Sequence, residues 1–313
     1  MQCILFTMSL NKIPPVKIPG TQYSLIGHSW AAKNTCFYIP ELKIMLDCGL
    51  ESELIPDHVF ITHGHADHSK DIPMTLVQLS SFKSQQQKKI NIFVPIEMTE
   101  YVRKYIDAFY VMSKNNPTHK AHSKYNLISV EANMRIPILI RNTKYIIEII
   151  KCFHTVPCVG YGFIEVRTHL KQEFRGLNQK ELITLKKSGT EIQEEYENPM
   201  FCYLGDTNEW VFTNKNTFEL IKKYPVIMSE CTFITPEQIP QAKKKKHIYI
   251  ETIDEIIKNN LDKTFILYHF SDRYEEQEII DFFIKKNYNN VIPWISLIKN
   301  TNSVPLPWKH YIS

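Results

Sequence analysis

The run Phe60–His68 constrains this chain more than any other feature, because three histidines and an aspartate follow an apolar segment there. His63 and His65 are one residue apart, so at the end of an extended strand their side chains lie on the same side. Asp67 and His68 follow on the turn and can face a second position nearby. Imidazole and carboxylate ligands suit zinc and similar divalent ions. A single tetrahedral ion takes fewer groups than this, so the pattern predicts two metals rather than a histidine-rich surface loop.

Length and composition indicate a globular protein. The 313 residues are 43% hydrophobic and 22% charged, enough for one large domain or two ordinary ones. The apolar start, residues 1–8, lacks a basic flank and is too short to span a bilayer, and no other run approaches the required length. We therefore expect an intracellular protein, cytoplasmic or nuclear, that is neither secreted nor membrane-bound.

Cysteine and lysine usage adds two weaker signals. The seven cysteines are odd in number and form no C-x-x-C pair, which predicts reduced thiols rather than disulfides or a zinc knuckle. Cys152 and Cys158 bracket His154, where packing is favoured over ligation. The net charge of +4 is mild. The run 243–246 consists of four lysines, which predict a solvated loop in preference to a phosphate contact or a nuclear import signal.

Short β-branched runs alternate with amphipathic patterns along the chain, without a linker or an internal repeat. The predicted strands are Lys43–Asp47, Val59–Thr62, Ile90–Val94, Tyr125–Val130, Tyr145–Phe153, Val159–Val166, Phe201–Leu204, Val226–Ser229, Phe265–Tyr268 and Asn290–Trp294. The predicted helices are Ile72–Ser84, Glu97–Ser113, Thr217–Tyr224, Thr252–Asn259 and Glu275–Lys285. This order predicts one domain over residues 1–313, an α/β fold in which two mixed β-sheets form an αββα sandwich flanked by helices. A polar segment around 170–198 is predicted to leave the core as a long loop.

Three further residues share the position of the histidine run, directly after an apolar strand. They are His154, Asp206 and His269. A lone histidine at a strand end is more often a structural or surface residue than a ligand. The joint occurrence of all three, together with the run at 63–68, favours a metal centre built from strand ends.

These motifs resemble known families. The 63–68 run is similar to the signature of the metallo-β-lactamase superfamily, and His269–Tyr274 resembles the HFSxRY motif of the ribonuclease Z family, the tRNA 3′-processing endonucleases. Leu46–Gly49 resembles the first aspartate motif of that family, and Gly205–Thr207 resembles its GDT. The segments Gly27–Ser29 and Lys33–Thr35 are similar to its glycine and Arg-Asn region. The resemblance runs with gaps from about Gly27 to Tyr274 and implies the same αββα fold.

The resemblance also implies a role for each matching residue. One metal would be held by His63, His65 and His154, the other by Asp67, His68 and His269, with Asp206 bridging them. The cofactor expected is two Zn²⁺, with Mn²⁺ or another divalent ion as the alternative.

Catalytic roles follow from the same comparison. Asp67 would also accept or relay the proton of the attacking water. His247 is the candidate donor to the leaving oxygen, or else an exposed basic residue after the lysine run. Arg273 would contact phosphate, or a helix carboxylate. Asp47 would orient a ligand imidazole, or would be a turn residue.

The chain departs from the ribonuclease Z pattern where the family contacts its substrate. The family has a glycine- and proline-rich arm that grips the tRNA elbow. Here only Thr184–Gly189 resembles the adjoining LKxG stretch, and Ser69–Pro73 lacks a glycine found in the family.

These features are compatible with three functions. The leading prediction is a zinc endoribonuclease that hydrolyses phosphodiester bonds in tRNA precursors or other RNA. The alternative is a small-molecule metallohydrolase acting on a β-lactam, thioester or phosphodiester. A non-catalytic scaffold is disfavoured because every expected ligand is present. Two alternatives stand for four apolar residues on the first long helix: they form the interface of a homodimer, or they are the buried face of that helix. These residues are Met74, Leu76, Val77 and Leu79.

Overall fold

The computed structural model describes residues 10–81, 89–116 and 123–295. In these ranges the strands are Val16–Lys17 (β1), Ser24–Trp30 (β2), Asn34–Ile39 (β3), Ile44–Leu46 (β4), His58–Phe60 (β5), Ile90–Pro95 (β6), Tyr125–Val130 (β7), Arg135–Ile140 (β8), Thr143–Lys151 (β9), Val159–Leu170 (β10), Gln193–Tyr203 (β11), Val226–Glu230 (β12), Thr264–Tyr268 (β13) and Val291–Pro293 (β14). The α-helices are Ala66–Ser69 (α1), Ile72–Ser81 (α2), Thr99–Lys114 (α3), Gln179–Lys187 (α4), Trp210–Thr213 (α5), Lys215–Ile221 (α6), Ile239–Lys245 (α7), Asp254–Asn259 (α8) and Glu276–Lys286 (α9). Short 3₁₀ turns cover Leu10–Lys12, Ile96–Met98, Gln172–Phe174, Pro236–Gln238 and Ile250–Thr252.

Two mixed sheets of seven strands each form the centre of the molecule. The first runs β1 to β7 in chain order, antiparallel up to the β3–β4 pair and parallel from β4 to β7. The second runs from β14 back to β8, with β11 to β14 parallel and the remaining pairs antiparallel. Each sheet therefore has parallel strands whose carboxyl ends lie together, the position where α/β proteins place ligands.

Aromatic side chains from both sheets meet between them. Phe60 of the first sheet lies 5.1 Å from Phe163 of the second, measured between ring centroids, and Phe163 stacks on Phe201 at 4.6 Å. All three rings are fully buried. Edge-to-face and offset contacts of this kind add to the free energy gained from burial alone. The expected sandwich is confirmed, with its main core between the sheets.

Helices cover the outer faces of both sheets. On the first sheet, α2 and α3 bury apolar residues that include Leu76, Leu79 and Ile106. On the second, α9 buries Ile279 and Phe283. Leu76 and Leu79 are thus packed inside the protein, so they are the buried face of α2 rather than an exposed contact surface.

The polar segment around 170–198 is not an irregular loop. Strands β10 and β11 stay paired from Tyr161↔Tyr203 out to Leu170↔Gln193, and residues 171–192 close the hairpin at its far end. A nine-residue helix, α4, lies in this end, with a capping box between Asn178 and Glu181. We call residues 166–198 the hairpin arm. The prediction of a long loop was wrong, because strands that continue beyond the core carry polar side chains on both faces.

Ion pairs join the hairpin arm to the adjacent β8–β9 hairpin. Arg135 lies 2.5 Å from Glu197, and Lys144 lies 2.7 Å from Glu195, measured between charged nitrogen and oxygen. These side chains are about half exposed, so each pair contributes little free energy on its own. Their position shows that the base of the hairpin arm continues the second sheet.

Most predicted elements agree with the structure to within a few residues. The predicted helix Ile72–Ser84 is described only to Ser81, and residues 82–84, like Cys3 and the apolar start, lie outside the described residues. The six cysteines in the described ranges are buried free thiols. No helix among the described residues is long and apolar enough to cross a membrane.

Candidate metal centre

The strand-terminal residues converge at one end of the sandwich. His63 and His65 follow β5, His154 follows β9, Asp206 follows β11, and His269 follows β13. With Asp67 and His68 of the next turn, their ligand atoms form two neighbouring groups in which all atoms lie within 4.8 Å of one another, and a third, overlapping group joins Asp206 and His269 to His247. The seven predicted ligands, His63, His65, Asp67, His68, His154, Asp206 and His269, are all included in these groups.

The first group contains His63, His65, His154 and Asp206. His65 Nδ1 lies 3.1 Å from His63 Nε2 and 3.2 Å from His154 Nε2. Asp206 Oδ2 is 3.6 Å from His63 Nε2 and 3.9 Å from His154 Nε2. Three imidazole nitrogens and a carboxylate oxygen therefore surround one point.

The second group contains Asp67, His68 and His269. His269 Nε2 lies 3.3 Å from both His68 Nε2 and Asp67 Oδ2. Asp206 reaches this group as well, with Oδ1 3.4 Å from His68 Nε2 and Oδ2 3.6 Å from His269 Nε2. Asp206 thus contacts both groups.

The donor set fits divalent metal ions. Asp206 is 1% exposed, and its Oδ1 accepts no hydrogen bond from any described residue. A buried acceptor without a donor costs free energy unless an ion or another group satisfies it. Nitrogens of neighbouring histidine rings also lie 3.1–3.3 Å apart, and a metal cation bound between them would use these nitrogens as ligands. Mixed nitrogen and oxygen ligands match zinc and allow manganese.

Electrostatics at the centre favour neutral imidazoles in the first group. Burial lowers the pKa of His63, His65 and His154, so these rings are neutral at pH 7, the form that binds metal. Burial by itself would raise the pKa of Asp206. His269 and His68 outweigh this effect and hold the pKa of that carboxyl well below its usual range. The carboxylate is therefore ionised at neutral pH.

In the second group, nearby carboxylates outweigh the effect of burial on the histidine pKa. Burial lowers the pKa of His68, but the carboxylates of Asp206 and Asp47 outweigh it and raise the pKa to about 10. Asp67 is also ionised, since its contacts with His269 and His68 lower its pKa in spite of burial. The carboxylates of the centre therefore attract positive charge to this point.

Asp47 contacts His68 of the second group at the ring nitrogen that faces away from the centre. The fully buried carboxylate accepts hydrogen bonds from His68 Nδ1 at 2.7 Å, from the Tyr203 hydroxyl at 2.7 Å, and from the Thr62 backbone N–H at 2.7 Å. The contact to Nδ1 orients His68 so that Nε2 faces the centre, as outer partners of metal ligands do. This geometry supports the interpretation of Asp47 as an orienting residue over that of a turn aspartate.

Other ligand rings are also held at their outward nitrogens. His63 Nδ1 contacts the Thr62 hydroxyl at 3.0 Å, His269 Nδ1 contacts the Thr232 hydroxyl at 3.1 Å, and His154 Nδ1 lies 3.2 Å from the Lys246 carbonyl. His269 itself has a φ of 65°, in the left-handed region that non-glycine residues rarely adopt. Backbone strain of this kind persists only where surrounding contacts enforce it.

His247 lies against the centre and is largely buried. Its Nδ1 is 2.8 Å from Glu230 Oε1 and 4.0 Å from Asp206 Oδ2. Burial lowers the pKa of His247, but Glu230 outweighs this effect and raises it to about 9. The ring therefore carries a proton at neutral pH beside the two groups. The alternative of an exposed basic residue does not fit this environment.

Glu230 was not found from the sequence. It ends β12, is fully buried, and accepts hydrogen bonds from the Thr207 backbone N–H at 3.2 Å and the Thr232 hydroxyl at 2.8 Å. It therefore joins His247, the Asp206 loop and, through Thr232, His269. A signal for it was present in the sequence, because a carboxylate directly after the predicted strand Val226–Ser229 repeats the pattern of the ligands.

A cleft of about 700 Å³ opens over the two groups. Arg273 and His247 line it together with His65, Asp67 and Asp206. Arg273 points to no carboxylate within ion-pair distance among the described residues, and its Nη1 lies 3.4 Å from the Ser271 hydroxyl. The guanidinium is therefore available to an anion in the cleft, whereas the alternative of a helix carboxylate partner is not seen.

Gly49 provides a stability test of this arrangement. A Cβ at position 49 would lie 1.7 Å from the Asp67 carbonyl oxygen, so Gly49→Ala must displace the turn that carries Asp67 and His68. We expect a loss of about 1–3 kcal/mol of folding free energy and weaker zinc binding. Thermal unfolding and competition with a chelator measure both effects.

The control for Gly49→Ala is Gly176→Ala, where no atom lies within 4 Å of the added Cβ. It should leave the melting temperature and zinc affinity close to those of the wild type. If Gly49→Ala behaved in the same way, the close packing of this turn would play no part in forming the centre.

The chain is similar to known proteins of one superfamily. The family model described as the beta-lactamase superfamily domain matches residues 51–270. The chloroplastic tRNase Z TRZ2 of Arabidopsis thaliana is 30% identical over 273 residues, which cover 84% of this chain and 72% of that protein. The tRNase Z TRZ1 of the same plant is 28% identical, covering 87% of this chain and 93% of its own length. Among solved structures, the short form of human tRNase Z matches with a TM-score of 0.46 at 17% identity, covering 84% of this chain and 92% of that one.

The superfamily match covers more than half of the chain, from just after the first aspartate motif to the last histidine ligand of the predicted set. The chain therefore belongs to the β-lactamase superfamily and, within it, to the family of ribonuclease Z hydrolases.

Proposed function

We propose that this protein is a ribonuclease Z that removes the 3′ extension of precursor tRNA by hydrolysing one phosphodiester bond. The observation that carries the proposal is the pair of ligand groups joined by Asp206, with the protonated His247 beside them. The relatives named tRNase Z support tRNA as the substrate.

We further propose that the centre binds two zinc ions, with manganese or another divalent ion as the alternative. One would be held by His63, His65 and His154, the other by Asp67, His68 and His269, and Asp206 would contact both. When bound, such a pair supplies Lewis acidity that activates water and neutralises charge on the phosphoryl group. The buried and ionised Asp206 is the chief support for a pair rather than a single ion.

The protein's own side chains would move and hold protons around the reacting phosphate. Asp67 Oδ2, fixed by the Ala32 backbone N–H at 2.9 Å, would accept the proton of the attacking water. His247 would donate a proton to the leaving oxygen, while Glu230 keeps its ring oriented and charged. Arg273 would bind a non-bridging phosphate oxygen through its planar fork.

The hairpin arm supports a macromolecular substrate. It lies between His154 and Asp206 in the chain, the interval in which the family carries its tRNA-gripping arm, and it reaches out from the second sheet with mostly exposed side chains. Its ends are β-strands rather than a glycine- and proline-rich tether. A small-molecule hydrolase would not need such an extension, although the metal chemistry alone would serve either substrate.

We propose an intracellular site of action, consistent with the chloroplastic and nuclear forms among the relatives. A homodimer stays a prediction. Because Leu76 and Leu79 are buried, any contact between copies would use other residues.

The direct test incubates the zinc-loaded protein with a 3′-extended precursor tRNA and maps any cut to the nucleotide. We expect a single cut at the end of the acceptor stem that is abolished by chelator and by His65→Ala. Metal analysis should find about two zinc ions per wild-type chain and fewer in the variant. The proposal fails if no cut appears, or if His65→Ala makes the same cuts. Unstructured RNA and small lactam, thioester and phosphodiester substrates would then be tested.

A further inference from the structure

We propose that Lys244 and Lys245 form a phosphate clamp, which holds backbone phosphates of the RNA next to the one that is cut. The inference rests on the proposed function and assigns a part of the RNA to a defined surface of the cleft. The lysine run was predicted to be a solvated loop, but it lies on α7 and the turn that follows it, directly before His247.

Only part of the lysine run faces the metal centre. Lys244 and Lys245 line the cleft above the two ligand groups, together with Arg273 and His247. Lys243 is on the same helix but does not line the cleft. The four consecutive lysines are therefore divided by the geometry of α7, and the two that line the cleft are the ones that a bound RNA would meet.

Lys244, Lys245 and Arg273 form no ion pair among the described residues, although Asp67, Asp206 and Asp272 also line the cleft. In the described ranges, no carboxylate lies within ion-pair distance of the ammonium groups of Lys244 and Lys245. The nearest acid in sequence to Arg273 is Asp272, which pairs instead with Lys33 at 3.3 Å. Because Asp67 and Asp206 belong to the ligand groups, the three cations line the cleft without a carboxylate partner of their own in the described part of the chain. Like charges gathered in this way destabilise the free protein and favour binding of a polyanion.

The end of α7 is fastened to the metal-ligand loop. Lys246 Nζ donates to the His154 carbonyl at 3.2 Å, and His154 Nδ1 lies 3.2 Å from the Lys246 carbonyl. Lys246 has a φ of 54° and ends the helix, and the His247 N–H bonds to the Ala242 carbonyl at 3.0 Å. These contacts fix the backbone that carries Lys244 and Lys245 relative to His154. The side chains of Lys244 and Lys245 remain free to reach a phosphate.

This arrangement specifies the class of substrate. A single phosphodiester would be held by the metal centre and Arg273, with nothing left for two further ammonium groups. A ligand that engages the whole cleft must carry additional phosphates at the spacing of a nucleic acid backbone. Lysine binds such phosphates as a point charge, without reading the base. The clamp therefore positions the strand and does not select its sequence.

The test compares Lys244→Gln/Lys245→Gln with Lys243→Gln. Binding to each zinc-loaded protein is measured by fluorescence anisotropy at several salt concentrations, with a precursor tRNA that carries a non-hydrolysable linkage at the cleavage position. Cleavage by the zinc-loaded forms is measured in parallel. We expect the double substitution to weaken binding roughly tenfold and to reduce the slope of log Kd against log salt by about 1.5, since each lost phosphate contact removes about 0.7–0.9. Lys243→Gln should match the wild type.

A double variant with the wild-type salt slope would overturn the clamp. So would a Lys243→Gln variant that loses as much affinity as the double variant, because the effect would then be one of net charge. If the double variant lost equal hydrolysis rate on RNA and on an aryl phosphodiester with one phosphate, the cause would be damage to the metal centre, which would also overturn the clamp. If the wild type neither binds nor cuts RNA, the proposed function itself fails, and that result is distinct from all three.

Discussion

Replacing Asp206 with asparagine is expected to lower the rate of RNA cleavage at least a thousandfold. Asp206 is the buried carboxylate that contacts both ligand groups, at 3.4 Å from His68 and 3.6 Å from His63. The amide keeps the shape of the side chain but removes its negative charge and one acceptor oxygen. A thousandfold loss corresponds to roughly 4 kcal/mol of transition-state stabilisation, the effect we expect if Asp206 holds both metals as proposed. The single-turnover cleavage rate at saturating zinc is the measurement.

Zinc content separates this explanation from misfolding. Asp206→Asn should retain cooperative unfolding while it binds less zinc per chain than the wild type. Asp272→Asn is the matched control, because Asp272 lies on the rim of the same cleft but pairs with Lys33 and belongs to neither ligand group. Near-wild-type cleavage and zinc content in Asp206→Asn would mean that this carboxylate does not bind the metals.

His247→Gln is expected to lower the rate of the chemical step on RNA by about 10²–10³-fold, within the range for loss of a general acid. His247 is the protonated ring beside the centre, held by Glu230 at 2.8 Å. An aryl phosphodiester releases an acidic phenol, which needs no proton at the moment of departure. The same substitution should therefore reduce hydrolysis of that substrate much less than it reduces cleavage of RNA.

The internal control is the comparison, for the same variant, of the rate of RNA cleavage with the rate of aryl phosphodiester hydrolysis. Glu230→Gln should show the same selective loss on RNA, in smaller degree, because it leaves His247 in place but without its anionic partner. Losses of equal size on RNA and on the aryl diester would contradict proton donation and assign His247 to positioning alone.

The ligand residues could be recognised from the sequence because each is preceded by a local signal. A strand ends where its apolar run ends, and the next polar side chain is placed at the edge of the sheet. His63, His154, Asp206 and His269 all follow this rule. The alternation of strands and helices also predicted the two-sheet sandwich. Four strands, β1, β2, β3 and β8, were not predicted. Of these, Ser24–Trp30 and Asn34–Ile39 mix polar and aromatic residues without a clear period.

The sequence by itself determined which side chains can bind metal and in what order they follow the strands, since these are properties of neighbouring residues. Only the tertiary structure decided what surrounds them. The contacts of Glu230 with His247, and of Lys246 with His154, join residues 17 and 92 positions apart. The division of the lysine run depends on how α7 packs against the cleft. Such contacts arise from chain segments that meet only on folding, so no local pattern encodes them.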